Sequence, residues 1–160
     1  MSVNKYKDHI LVLPEDDATR QMAVGFYLKV PDQRLMQILP FSGGWKNVLE
    51  SFLLEYQPTM QNLSNRYVVL VIDFDKSENR LQHIKDQIDP NVLARVFILG
   101  ASLEAEDLRR SVGANLETVG QLLAQDCQNQ TMNIWGNALF EPLQDEIERA
   151  QKILRPIIFS

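Results

Sequence analysis

The sequence predicts an α/β protein, a mostly parallel four-stranded sheet with helices on both faces and a helical C-terminal part. Three observations lead there. Apolar runs of strand length recur at HILVL (9–13), RLMQILPF (34–41), YVVLVI (67–72) and ARVFILG (94–100). Segments with apolar residues at helical spacing separate them. The runs are continuous rather than alternating, which is the pattern of strands buried on both faces, as in a parallel sheet.

Taken in order, His9–Leu13 is the first strand. After Pro14-Glu15-Asp16-Asp17, the apolar residues Ala18, Met22, Val24, Phe26 and Tyr27 predict a helix, broken at Val30-Pro31-Asp32. Arg34–Phe41 reads as the second strand and Ser42-Gly43-Gly44 as a turn. Val48, Leu49, Phe52 and Leu53 then mark a helix over Trp45–Tyr56, with Gln57-Pro58-Thr59 as its stop. Tyr67–Ile72 is the third strand. Ser77–Ile88 is helical, with Leu81, Ile84 and Ile88 on one side. Asp89-Pro90-Asn91 is a turn, and Ala94–Gly100 is the fourth strand. Beyond Gly100 the pattern is helical only: Leu103–Val112, then a helix through Leu116, Val119, Leu122 and Leu123. A long last helix follows through Leu143, Ile147, Ala150, Ile153 and Leu154, with Arg155–Phe159 as an apolar tail that docks on the body. No linker marks a boundary, so the expectation is a single domain with its sheet core over about 8–100 and a helical extension over about 101–160.

The 160 residues are 45 % apolar, enough for a real core and too much for disorder. No apolar run approaches the roughly 20 residues of a membrane span, and MSVNKYKDHI lacks a signal-peptide apolar region. A cytoplasmic protein with no membrane association is expected. The one cysteine, Cys127, forms no internal disulfide and reads as a small buried hydrophobe. His9 and His83 have no ligand partner at useful spacing and read as surface or edge residues. A net charge of −5 argues against gripping nucleic acid by bulk electrostatics, although acids that hold divalent cations lower that count and turn the cations toward phosphates.

The carboxylates sit where such a sheet binds ligands, just beyond the C-terminal ends of its strands. Glu15, Asp16 and Asp17 follow strand one, Asp73 and Asp75 follow strand three, and Glu104, Glu106 and Asp107 follow strand four. Residues i and i+2 of an extended chain point the same way, so Asp73 and Asp75 can aim at one ion. Carboxylates this close repel, which a hard divalent cation relieves. The structural alternative is helix capping, with Asp75 and Glu78 as a capping-box variant and Glu15–Asp17 in a first helical turn. Capping does not account for Asp73, which sits directly against the apolar run.

The order strand–Glu15, strand–Gly43-Gly44, strand–Asp73-x-Asp75 resembles the TOPRIM domain, the metal-binding α/β module of topoisomerases, bacterial primases and several nuclease families. The resemblance covers roughly Asp8 to Gly100. It implies that Asp73 and Asp75 hold Mg²⁺ or Mn²⁺, and that Glu15 holds a metal or acts as general acid/base. It implies further that Gly43 and Gly44 let the backbone approach a phosphate with Lys46 as a contact, and that Glu104 and Glu106 complete a second metal site. The implied chemistry is metal-dependent phosphodiester processing of nuclease type, with nucleic acid engaged through the bound metal. Pro14 before Glu15 and Asp16-Asp17 after it depart from the family pattern. No GxxxxGK[ST] phosphate loop is present, so an accompanying ATPase or other protein partner would be a separate chain.

Two other readings come from the same residues. ILVLPEDDATRQ resembles the start of a bacterial receiver domain, with Asp16, Asp17 and Asp73 as its acids and Ser102 as its hydroxyl, but no strand-five lysine follows. A non-catalytic TOPRIM-like module would instead use Asn133–Ser160, where Ile134, Trp135, Leu139 and Phe140 are either core or an interface. Trp45, after the glycine turn, either stacks on a base or packs under its own helix.

Overall fold

A computed structural model describes residues 2–74, 79–100 and 105–159. It shows an α/β fold with four parallel strands: β1 (His9–Pro14), β2 (Met36–Ile38), β3 (Arg66–Val71) and β4 (Val96–Leu99), in the order β2-β1-β3-β4. Every pairing is parallel; Ile10 stands opposite Met36 and Tyr67, and Val68 opposite Val96.

The apolar runs alternate between the two faces, as a pleated strand must. Leu11, Leu13, Val68, Leu70, Val96 and Ile98 point to one side. There they meet α2 (Trp45–Ser51), its continuation α3 (Gln57–Asn62), α4 (Arg80–Gln87) and the short α5 (Pro90–Leu93), through Val48, Phe52, Met60, Ile84 and Val92. Ile10, Val12, Val69 and Phe97 point to the other side. That face is covered by α1 (Asp17–Tyr27), α7 (Leu116–Asn129) and α8 (Gln144–Ile158), through Ala23, Ala124, Cys127, Ala150 and Leu154. The described residues also include α6 (Ala105–Val112) and a 3₁₀ helix over Ala138–Leu143. Among the described residues no helix is long and apolar enough to cross a membrane.

Several boundaries differ from the sequence expectation, each for a local reason. β2 begins at Met36 rather than Arg34, because the Asp32 carboxylate accepts from the Arg34 N–H and caps a 3₁₀ turn over Gln33–Leu35. It ends at Ile38, before Pro40, which has no N–H for a ladder. The Gln57-Pro58-Thr59 stop is not a stop. The helix runs on to Asn62 through a π turn at Phe52–Tyr56, where the Gln57 N–H reaches back to the Phe52 carbonyl. That wider turn accommodates a proline ring that would crowd the carbonyl one α-turn back. Pro90 likewise opens α5 rather than only turning the chain, with Asp89 capping the Asn91 N–H. Arg155–Ile158 is the last turn of α8 rather than a tail, and the Phe159 ring lies 6.0 Å from that of Phe26. Ser77, Glu78 and Leu103, at the expected starts of two helices, lie outside the described residues.

His9 is not at the surface. It is fully buried, its Nδ1 lies 2.8 Å from the Lys7 carbonyl, and its Nε2 accepts from Arg66 Nε at 3.1 Å. Trp135 and Phe140 are core, their rings 5.2 Å apart, with Ile134 and Leu139 packed alongside. This places Ile134, Trp135, Leu139 and Phe140 in or against the core rather than on an exposed apolar patch.

Candidate functional site

The strand order reverses direction between β1 and β3, and the crevice beyond their C-terminal ends is where an open parallel sheet takes a ligand. Glu15 follows β1 and Asp73 lies two residues beyond β3. The Glu15 N–H extends the ladder to the Val71 carbonyl at 2.9 Å, so Pro14 does not derail the chain. The Glu15 side chain turns across the crevice, where its Oε2 accepts from the Asp73 N–H at 2.6 Å. Both carboxylates are buried, at 8 % and 7 % exposure.

Asp16 completes the group. One carboxylate oxygen from each of Glu15, Asp16 and Asp73 lies within 4.8 Å of the others. Asp16 is also the N-cap of α1: its Oδ1 accepts from the Thr19 N–H at 2.9 Å, while the Asp16 N–H donates to Thr19 Oγ1 at 3.0 Å. The buried Thr19 hydroxyl accepts from the Glu15 N–H as well. One threonine therefore sets the backbone of two of the three acids. In the sequence Asp16 reads equally as a strand-end acid, a first-turn helix acid or a receiver acid; the D-x-x-T spacing of Asp16 and Thr19 is the signal for its fixed geometry.

The glycine turn braces the same loop. The Gly43 and Gly44 N–H groups donate to the Glu15 carbonyl at 2.8 and 3.1 Å, and both residues have positive φ, 81° and 123°. Side-chain-bearing residues rarely adopt that backbone, so the pair is needed to bring two amides onto one oxygen. These amides support Glu15 from behind.

A cationic and aromatic rim borders the acids. Arg80, at the start of α4, donates from Nη1 to the Asp73 carbonyl at 2.5 Å. Its guanidinium carbon lies 4.8 Å from the Trp45 ring centroid; the Lys46 ammonium lies 5.7 Å from it. The His83 ring meets Trp45 edge-on at 5.8 Å. Nothing in the sequence singled out Arg80, because the link from α4 back to the end of β3 is a matter of tertiary packing.

Glu106 is turned to Arg109 at 2.7 Å on α6 and is not in the described carboxylate group. Asp17 is exposed and accepts from Gln21. Asp75, Ser102 and Glu104 lie outside the described residues. Cys127 is buried, and that burial pushes its thiol up to about 11, the behaviour of a core residue rather than a nucleophile.

Three carboxylates with no nitrogen or sulfur donor suit a hard cation. Small side-chain adjustments would bring oxygens at this spacing to the roughly 2.1–2.4 Å that Mg²⁺, Mn²⁺ or Ca²⁺ requires. Carboxylates gathered this closely repel one another, and a hard cation between them relieves that repulsion. No protein-family model matches this chain, and no curated protein or solved structure matches it.

Proposed function

We propose that this chain is a TOPRIM-like phosphodiester-processing protein that uses Mg²⁺ or Mn²⁺ held by Glu15, Asp16 and Asp73. The observation that carries the reading is the meeting of these carboxylates at the β1/β3 crevice, with a glycine turn braced on Glu15. A bound cation there would polarise a phosphate and lower the pKa of a coordinated water. Glu15, fixed by the Asp73 N–H, is the residue placed to hold the metal or pass a proton. Asp73 and Asp16 position the ion, and Lys46 offers a charge to the substrate phosphate. Asp75 and Glu104 belong to the same proposal through the family resemblance. The receiver reading is disfavoured by Asp17, which faces solvent and Gln21 rather than the acid group.

The test is calorimetric titration of Mn²⁺ into the wild type, Asp73→Asn and Glu15→Gln. Asp73→Asn retains the N–H that holds Glu15, so it removes only the carboxylate. Each variant is expected to weaken binding at least tenfold while melting close to the wild type, and to abolish metal-dependent cleavage of a phosphodiester substrate. Wild-type affinity in both variants would remove the metal assignment. Metal binding without cleavage of DNA or RNA would favour a non-catalytic module.

A further inference from the structure

The Trp45 indole and the acid group are connected through a single residue. Arg80 lies over the Trp45 ring and also donates to the Asp73 carbonyl, so the aromatic platform is fixed relative to the carboxylates. Trp45 remains only partly buried, and Lys46 beside it is exposed. Phe41, on the same β2–α2 loop, is 49 % exposed, one of five large apolar side chains exposed among the described residues. Phe41 and Trp45 thus flank Gly43-Gly44 along the chain, with Lys46 of α2 and Arg80 of α4 as cations, in a chain whose net charge is −5. Aromatic faces interleaved with cations are how proteins hold unpaired nucleotides: bases stack on rings and guanidinium planes while cations follow the phosphates. A duplex keeps its base faces stacked inside and cannot use such a platform.

We propose that the substrate of this site is single-stranded nucleic acid, with a base stacked on the Trp45–Arg80 pair, a neighbouring base on Phe41, and the backbone led past Lys46 to Glu15, Asp16 and Asp73. This rests on the phosphodiester reading above for what happens at the acids, but the strand-binding surface is separate from them. Arg80 acts as a positioning residue that holds the indole against the end of β3.

The test is fluorescence anisotropy of a labelled oligothymidylate added to the full-length Asp73→Asn chain in EDTA. That background lowers the acid charge without an ion, so failure of the metal proposal does not remove binding. Saturable binding is expected, at least tenfold tighter for the single strand than for the same strand annealed to its complement. Trp45→Ala should weaken it about tenfold and Trp45→Phe much less, since any flat ring restores the stack. Lys46→Ala should lessen the salt dependence. Intrinsic fluorescence gives a second readout: Trp135 is buried and hydrogen-bonded to the Leu123 carbonyl, so strand-induced quenching reports Trp45. Equal or tighter duplex binding, unchanged binding in Trp45→Ala, or no binding at all would overturn the proposal. If Mn²⁺ binding fails while single-strand binding persists, the metal reading alone falls.

Discussion

Asp16 is placed for two roles with one carboxylate: an N-cap on α1 through the Thr19 N–H, and a ligand beside Glu15 and Asp73. The roles separate by substitution. Asp16→Asn keeps a side-chain oxygen for the cap and should melt within about 0.5 kcal/mol of the wild type while losing Mn²⁺ affinity. Asp16→Ala loses both and should cost about 1 kcal/mol in urea unfolding. Equal metal affinity in Asp16→Asn and the wild type would confine this residue to capping. The same duality explains what was legible at this scale. Asp73 stood out because no cap explained it, and Glu15 stood out by its place after a strand. Asp16 was obscured because a capping acid and a ligand acid look alike in sequence. His9 was misread because the partners that bury it, Arg66 and the Lys7 carbonyl, satisfy both ring nitrogens in a way no spacing announces.

Among the elements, α1 and α7 pack backbone against backbone at two glycines. A Cβ on Gly25 would stand 2.0 Å from the Glu117 carbonyl oxygen, and one on Gly120 would stand 1.9 Å from that of Met22. These are backbone atoms of the opposite helix and cannot step aside singly, so the two helices must part. Gly120→Ala should cost about 2–3 kcal/mol by overpacking, although alanine is the better helix former. Thermal unfolding would check this, with an unchanged or raised melting temperature as the contrary result. Because α1 begins at the carboxylate group, the same variant should also lower Mn²⁺ affinity. Each strand was legible because an apolar run of that length fits a two-sided sheet. The run before β2 carried a 3₁₀ turn instead of strand because a local Asp32 cap competes with edge pairing, a contest that hydrophobicity does not register. The helix past Pro58 was missed for a related reason: a π turn is set by packing of Phe52 into the core, not by residue type.

For the molecule as a whole, pH is expected to act on stability in one direction, through buried groups on both sides of the sheet. Glu146 is buried, which alone would raise its pKa, but Arg149 at 2.5 Å and Lys85 at 2.6 Å outweigh burial and hold it below the usual range. Asp126 is also buried, and again burial is outweighed, here by the Thr131 hydroxyl and the Ile134, Trp135 and Asn133 N–H groups. His9 is pushed below the usual imidazole value first by burial and then by the Arg66 cation, against the opposing pull of the Lys7 carbonyl. All three have lower pKa values folded than unfolded, so the folded state binds fewer protons and stability rises with pH. The contributions are complete above the unfolded values and are lost as pH falls through the folded ones. Melting temperature should therefore fall in two stages, first below about pH 6.5 as His9 resists protonation, then below about pH 4.5 as Glu146 and Asp126 give up their bonds. His9→Gln should remove the first stage and leave the second, because glutamine can meet Arg66 and Lys7 without titrating. A first stage of undiminished size in His9→Gln would assign it to another group. A melting temperature that rose on acidification would contradict the direction for all three. The acid limb also bears on the site, since Glu146 accepts from the Ile98 N–H and ties α8 to β4, one strand from Asp73. Metal titrations run near neutral pH thus report the carboxylates of the crevice on an intact sheet.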